Sequence, residues 1–162
     1  MRATAQGIKL IKHYEKCVLH PYLCPAGVPT IGWGNTFYEN GKKVTLKDKP
    51  ITQQRADQLF EAVLSMFEKD VTSLLKVTVT PSQFDALVSF AYNVGSDIDQ
   101  DDIPEGLGDS TLLKLVNANP LSPRIPGEFL KWNKSKGKVL DGLTKRRTIE
   151  AWLYRTGKLL IN

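Results

Sequence analysis

Three residues able to do chemistry stand at fixed intervals near the start of the chain. Glu15, Cys24 and Thr30 are spaced Glu-x8-Cys-x5-Thr inside HYEKCVLHPYLCPAGVPTIGWG, His13 to Gly34. Glu15 closes an apolar-patterned segment that reads as a helix, and Cys24 and Thr30 follow in a Pro/Gly-rich stretch that reads as a β-hairpin. Splitting a glycosidic bond needs an acid on one side of the sugar and a held water on the other. A carboxyl group at a helix end and two small water-binding side chains on a facing hairpin could supply both. Singly, each residue has an ordinary reading: a solvated helix-end charge, a small buried cysteine, a strand threonine.

The elements that must position these groups follow from periodicity and punctuation. Ile8, Ile11 and Tyr14, with Leu10 alongside, predict a first helix from Ala3 to about Lys16. Pro21 to Pro50 reads as a small twisted sheet of two or three strands, with Asn40-Gly41 as a hairpin turn. Thr52 caps a long helix to about Val77, striped with Leu59, Phe60, Val63, Leu64, Phe67, Val71, Leu74 and Leu75. Thr80-Pro81-Ser82-Gln83 is a capping box opening an apolar helix through Tyr92. Asp109 or Ser110 caps a further helix to about Asn117, a short helix is expected around Phe129 to Trp132, and a last one from about Gly142 to Arg155 stops at Gly157. The fold class is α+β, mainly α: one domain over 1–162, with a β lobe (about 18–50), a connecting helix (about 52–77) and a helical lobe (about 80–162).

Ile31-Gly32-Trp33-Gly34 follows the triad, and the chain continues through FDALVSFAYNVG (Phe84 to Gly95), STLLKLVN (Ser110 to Asn117), Phe129-x-x-Trp132 and GLTKRRTIEAWL (Gly142 to Leu153). In these blocks and their order it resembles the phage-type lysozymes, the endolysins of lambdoid and T4-like phages in glycoside hydrolase family 24. The resemblance implies a lysozyme-like fold with a saccharide cleft between the lobes. It implies hydrolysis, with inversion, of the β-1,4 bond between N-acetylmuramic acid and N-acetylglucosamine in bacterial peptidoglycan, and so lysis of the host cell. Glu15 is then the general acid, which must hold a proton near neutral pH through partial burial. Thr30 orients the water. Cys24 stands where most relatives carry Asp, and its role stays open: a base whose pKa basic surroundings depress, a holder of water, or a nucleophile. The resemblance assigns support of the acid to Arg146 or Arg147, and substrate contacts to Tyr92, Asn93 and the Ser110 region. Ser89 is a further cleft candidate, whereas Trp33 and Trp132 read more readily as core than as sugar platforms. Two other functions share these residues: a lytic transglycosylase on the same bond, and a non-catalytic wall-binding module.

Composition bounds the remainder. The net charge is +5, with ten Lys/Arg against three Asp/Glu between Arg124 and Lys158, a face that attracts polyanions without choosing among them. No nucleic-acid-binding motif accompanies it. Cys17 and Cys24, the only cysteines, make neither a disulfide framework nor a zinc site, though a hairpin that joined them would give a redox lock. Asp97, Asp99 and Asp101 begin like a calcium loop, but Asp102 and Gly108 stand where Gly and Glu are required, so a solvated mobile loop is expected. No cofactor or metal is expected. The expected partner is peptidoglycan, without nucleic acid or stable membrane association, and the expected state a monomer. The start lacks a signal-peptide core, which predicts residence in the host cytoplasm until a separate holin opens the way to the periplasmic wall.

Overall fold

The structure, a computed structural model, describes every residue except Gln100, Asp102 and Asn162. The chain divides into two compact units, Lys12–Met66 and Met1–Ile11 with Phe67–Asn162. Helix α1 (Ala5–Glu15) begins in the second of these and ends in the first, and α2 (Gln53–Leu74) begins in the first and ends in the second.

In the unit Lys12–Met66, Lys16 takes a left-handed backbone, φ 53°, which stops α1 at Glu15 and turns the chain into β1 (Val18–Leu23). Strand β1 pairs antiparallel with β2 (Pro29–Gly32), in the register Leu23↔Pro29, Tyr22↔Thr30 and Val18↔Gly32. The register shifts between Val18 and Tyr22, the interval that holds Pro21, which has no N–H for the ladder. The expected Asn40-Gly41 turn is present: Gly41 N–H donates to Tyr38 O at 2.9 Å, and an isolated bridge pairs Phe37 with Lys43. Thr52 caps α2, its hydroxyl accepting from Arg55 N–H at 3.1 Å. Leu59, Phe60, Val63 and Leu64 are all buried, as the helical stripe requires. Asp57 ties the unit together. It accepts from Trp33 Nε1 at 2.8 Å and from Lys12 Nζ at 3.1 Å, and that ammonium lies 4.6 Å from the Trp33 ring centre. Trp33 is therefore a structural residue of this unit.

In the other unit, α3 (Pro81–Val94) is buried on all sides from Gln83 to Tyr92. The predicted capping box opens it: Thr80 Oγ1 accepts from Gln83 N–H, and Gln83 Oε1 from Thr80 N–H. Helix α6 (Asp141–Thr156) packs on α3 and on α5 (Ile125–Leu130), and α5 packs on α4 (Thr111–Ala118). Phe90 stands edge-on to Phe129 and Trp132, with ring centres 5.6 and 5.4 Å away, so the half-buried Trp132 packs against the core. The carboxylate of Asp85, fully buried, accepts from Thr4 N–H and from the Thr4 hydroxyl, holding the entry to α1 against α3. Gly157 ends α6 in the left-handed region at φ 72°.

Two expectations shift. The short helix lies at Ile125–Leu130 rather than around Phe129 to Trp132, with Pro126 in its first turn. A hairpin follows it, β3 (Lys134–Ser135) with β4 (Lys138–Val139), which the sequence did not signal. Its two-residue turn is Lys136-Gly137, both at positive φ (49° and 77°), and lysine is an unusual first residue for such a turn. In the acidic loop, Asp97 Oδ2 accepts from the N–H groups of Glu105 and Gly106 at 3.1 and 3.0 Å. Asp97, Asp99 and Asp109 bring carboxylate oxygens within 4.8 Å of one another, and Asp102 of the calcium-like pattern lies outside the described residues.

Candidate active site

Glu15, Cys24 and Thr30 all belong to the unit Lys12–Met66. Glu15 is the last residue of α1 and partly buried. Cys24 leaves β1 and enters a tight turn, in which Cys24 N–H donates to Val28 O at 3.0 Å and Gly27 N–H to Cys24 O at 2.8 Å. The turn folds its N–H groups around the sulfur. Burial pushes the Cys24 thiol up, but hydrogen bonds from the Val28 and Ala26 backbone, the Thr30 side chain and the Gly27 backbone outweigh it, and the pKa is lowered. Of the readings left open, a depressed pKa is the one favoured, but through backbone hydrogen bonds and the Thr30 hydroxyl rather than basic side chains.

Thr30 is buried on β2, and its hydroxyl lies 2.9 Å from Val28 O. That hydroxyl has one proton for two neighbours, the Val28 carbonyl and the Cys24 sulfur. It donates to the carbonyl when the thiol is neutral and can turn to the sulfur when the thiolate forms.

Tyr22 joins this group and was missed from sequence. It is the cross-strand partner of Thr30, so the two side chains share one face of the sheet. Burial first, then the negative charges of Glu15 and Cys24, raise the pKa of its phenol. Tyr22 is thus within electrostatic reach of both the carboxylate and the sulfur. The available signal was strand alternation, since Tyr22 and Cys24 are two residues apart.

The redox pair finds no support in this fold. Both thiols are free, and Cys17 and Cys24 flank β1 at opposite ends. Seven residues of near-extended chain span about 20 Å, whereas a disulfide needs Cα atoms within about 7 Å. Cys17 accepts a hydrogen bond from Gln53 Nε2 at 3.6 Å instead.

The remaining candidates lie in the other unit. Arg146 and Arg147 are both buried on α6, where Arg146 Nε pairs with Glu150 Oε1 at 3.1 Å and Arg147 Nε with Glu150 Oε2 at 2.8 Å. Arg146 also donates to Ser89 O, and Arg147 to Asn93 Oδ1 at 2.9 Å. That last bond fixes the Asn93 amide with its oxygen inward, and the residue itself is exposed, so its NH2 group remains a donor for a ligand carbonyl. Tyr92 is largely buried and packs against Phe67, ring centres 5.2 Å apart. Ser110 must be corrected. It is fully buried, donates to Leu107 O at 2.6 Å and caps α4 by accepting from Leu113 N–H at 3.0 Å, which leaves it no surface for a sugar. Ser89 is likewise fully buried, donating to Glu150 Oε1 at 2.7 Å.

Comparison with known proteins identifies the family and the fold. An endolysin of Bacillus phage B103 is 40% identical over 158 residues, covering 98% of this chain and 56% of its own length. This chain therefore spans little more than half of that relative. An endolysin of Acyrthosiphon pisum secondary endosymbiont phage 1 is 34% identical over 160 residues, covering 96% of this chain and 99% of its own. The solved endolysin of Escherichia coli O157:H7 phage FAHEc1 superposes with a TM-score of 0.81 at 33% identity, over 99% of this chain and 98% of that one. The fold is accordingly lysozyme-like, a mainly helical α+β architecture with a small antiparallel sheet near the N-terminus. With the phage lysozyme family model matching residues 12–150, this chain belongs to the phage lysozyme family.

Proposed function

We propose that this chain is an endolysin that hydrolyses the β-1,4 bond between N-acetylmuramic acid and N-acetylglucosamine in bacterial peptidoglycan, lysing the host cell. The observation that carries the reading is that Thr30 bonds the Cys24 sulfur while Tyr22, its cross-strand partner, lies within electrostatic reach of both Cys24 and Glu15. Family membership supports the same chemistry.

Glu15 gives its proton to the leaving sugar oxygen as the glycosidic bond breaks. A water held by the Cys24 sulfur and the Thr30 hydroxyl attacks the anomeric carbon from the opposite face. Its proton passes to the Cys24 thiolate, and solvent exchange restores both groups. The product has an inverted configuration and a free reducing end. Asn93, with its amide set by Arg147, offers an N–H to an N-acetyl carbonyl. We infer further that the enzyme works as a monomer and reaches the periplasmic wall through a separate holin; the family resemblance is the support for both. Among the described residues, no helix is long and apolar enough to cross a membrane.

The test is Glu15→Gln, nearly isosteric but unable to donate the proton. It should abolish turbidity loss on permeabilised Gram-negative cells while the circular dichroism spectrum is kept. Mass spectrometry of the wild-type products should find reducing ends. Anhydro ends would replace hydrolysis by transglycosylation, and an active Glu15→Gln variant would remove the acid from this position.

A further inference from the structure

The segment Ile31-Gly32-Trp33-Gly34 contains two glycines, both at positive φ, and their surroundings differ. A β-carbon built on Gly32 would meet Asn35 Oδ1 at 3.2 Å, a tight contact without overlap, and Ala56 Cβ at an ordinary 3.7 Å. A β-carbon built on Gly34 would overlap Glu15 Oε2 and lie 2.8 Å from Glu15 Cδ and 3.2 Å from Cγ. The space a side chain would fill at position 34 is occupied by the carboxyl group at position 15. The obstructing atoms are the far end of a flexible side chain, so an added methyl would displace the carboxyl group rather than break the fold.

We propose that Gly34 is a positioning residue for the acid: its bare Cα is the seat on which the Glu15 carboxyl group rests, so that any side chain at 34 moves the proton donor out of register. The proposal rests on the reading of Glu15 as the general acid. Two constraints then act on the carboxyl group. Helix α1 ends at Glu15 because Lys16 turns left-handed, which sets the origin of the side chain. Gly34, across the hairpin, sets where its far end lies. Reacting groups tolerate little displacement, and a misplacement of about 1 Å can cost about 100-fold in rate.

Gly34 has φ 75°, so alanine there also incurs backbone strain, and Gly41 supplies the control. Gly41 has φ 81° with nothing within 4 Å of a built β-carbon, so Gly41→Ala carries the strain without the displacement. The experiment measures kcat and KM on purified peptidoglycan for the wild type, Gly34→Ala, Gly41→Ala and Glu15→Gln. It also records the carboxyl 13C resonances of glutamate-labelled protein against pH, with the Glu15 signal assigned by its loss in Glu15→Gln. Gly34→Ala should lower kcat about 100-fold with KM within about two-fold, and should move the Glu15 resonance. Gly41→Ala should melt at a similar temperature with kcat and resonance unchanged. A Gly34→Ala enzyme with wild-type kcat, or with an unmoved Glu15 resonance, overturns the proposal. An active Glu15→Gln enzyme instead removes the reading beneath it. Should Gly34→Ala fail to fold, the double variant Glu15→Ala/Gly34→Ala must fold, because the methyl then has its space; failure of the double variant as well also overturns the seat.

Discussion

The N–H groups of Ala26, Gly27 and Val28 and the hydroxyl of Thr30 converge on the Cys24 sulfur, and their combined effect on its pKa exceeds that of burial. An unperturbed thiol titrates near pH ~8.5 and is mostly neutral at pH 7. A lowered one is more readily deprotonated, which suits it to take a proton from water. The sign is fixed by the role. A base must be unprotonated, so activity should fall as pH drops through the lowered Cys24 pKa. Cys24→Asp puts a carboxylate in the same cradle of N–H groups. It should keep or raise activity at neutral pH and carry the acid limb of the pH–rate profile to lower pH, whereas Cys24→Ala should lose most activity. The pKa itself is accessible from the rate of iodoacetamide alkylation against pH. Its midpoint should lie below that of a free thiol, and Thr30→Val should raise it by removing one of the bonds that favour the thiolate. A wild-type midpoint at or above the free-thiol value would leave Cys24 with no basis for acting as a base.

Strand β1 separates the two thiols, and this changes what oxidation can do. With Cys17 and Cys24 at opposite ends of six strand residues, an intramolecular disulfide would require the hairpin to come apart. Mild oxidant should therefore inactivate wild type and Cys17→Ser alike, by attack on the Cys24 thiolate, and neither should lose a pair of thiols in a single step. Selective protection by Cys17→Ser would mean that β1 opens. Ser110 makes a parallel case in α4. Its type and position suit a sugar contact, but its hydroxyl is fully engaged as the helix cap. Ser110→Ala should cost about 1 kcal/mol of stability, read as a lower melting temperature, with KM for peptidoglycan unchanged. A raised KM at unchanged stability would restore the sugar contact. Helix starts are legible in sequence because their signals are local: Thr52 and Thr80 cap three residues or fewer away. Helix ends are less so. Asn117 donates to Leu74 O at 3.0 Å and accepts from Lys76 N–H at 2.8 Å, closing α2 with a residue of α4 some forty positions on, and no local pattern around Val77 could reveal it.

The same limit governs the molecule as a whole. Apolar stripes and caps disclosed the α+β class and the number of major helices, and the Glu-x8-Cys-x5-Thr spacing led to three residues of one unit. Tyr22 and the peptide cradle of Cys24 were not legible, because each depends on a register or a turn rather than on residue type. Arg146 and Arg147 mislead in the opposite way, since two adjacent arginines in a basic stretch resemble solvated surface. Both are buried, and Glu150, three and four positions on, turns them inward. The basic character of that segment thus divides into surface lysines and an interior ion network that also reaches Ser89 and Asn93. These two kinds of charge should respond differently to mutation. The Arg55–Glu39 pair is about 40% exposed on both sides, so Arg55→Ala should change stability by less than about 1 kcal/mol. Glu150 is fully buried between two guanidinium groups, so Glu150→Gln preserves shape but leaves both facing a neutral amide. An uncompensated buried charge costs roughly 3–5 kcal/mol, which in a domain of this size lowers the melting temperature by about 10 °C. The Asn93 amide, oriented through Arg147, should loosen with it, so KM should rise at temperatures where Glu150→Gln is still folded. Calorimetry of Arg55→Ala and Glu150→Gln side by side decides the point. Equal, small shifts would mean that the Glu150 network contributes no more than a surface pair.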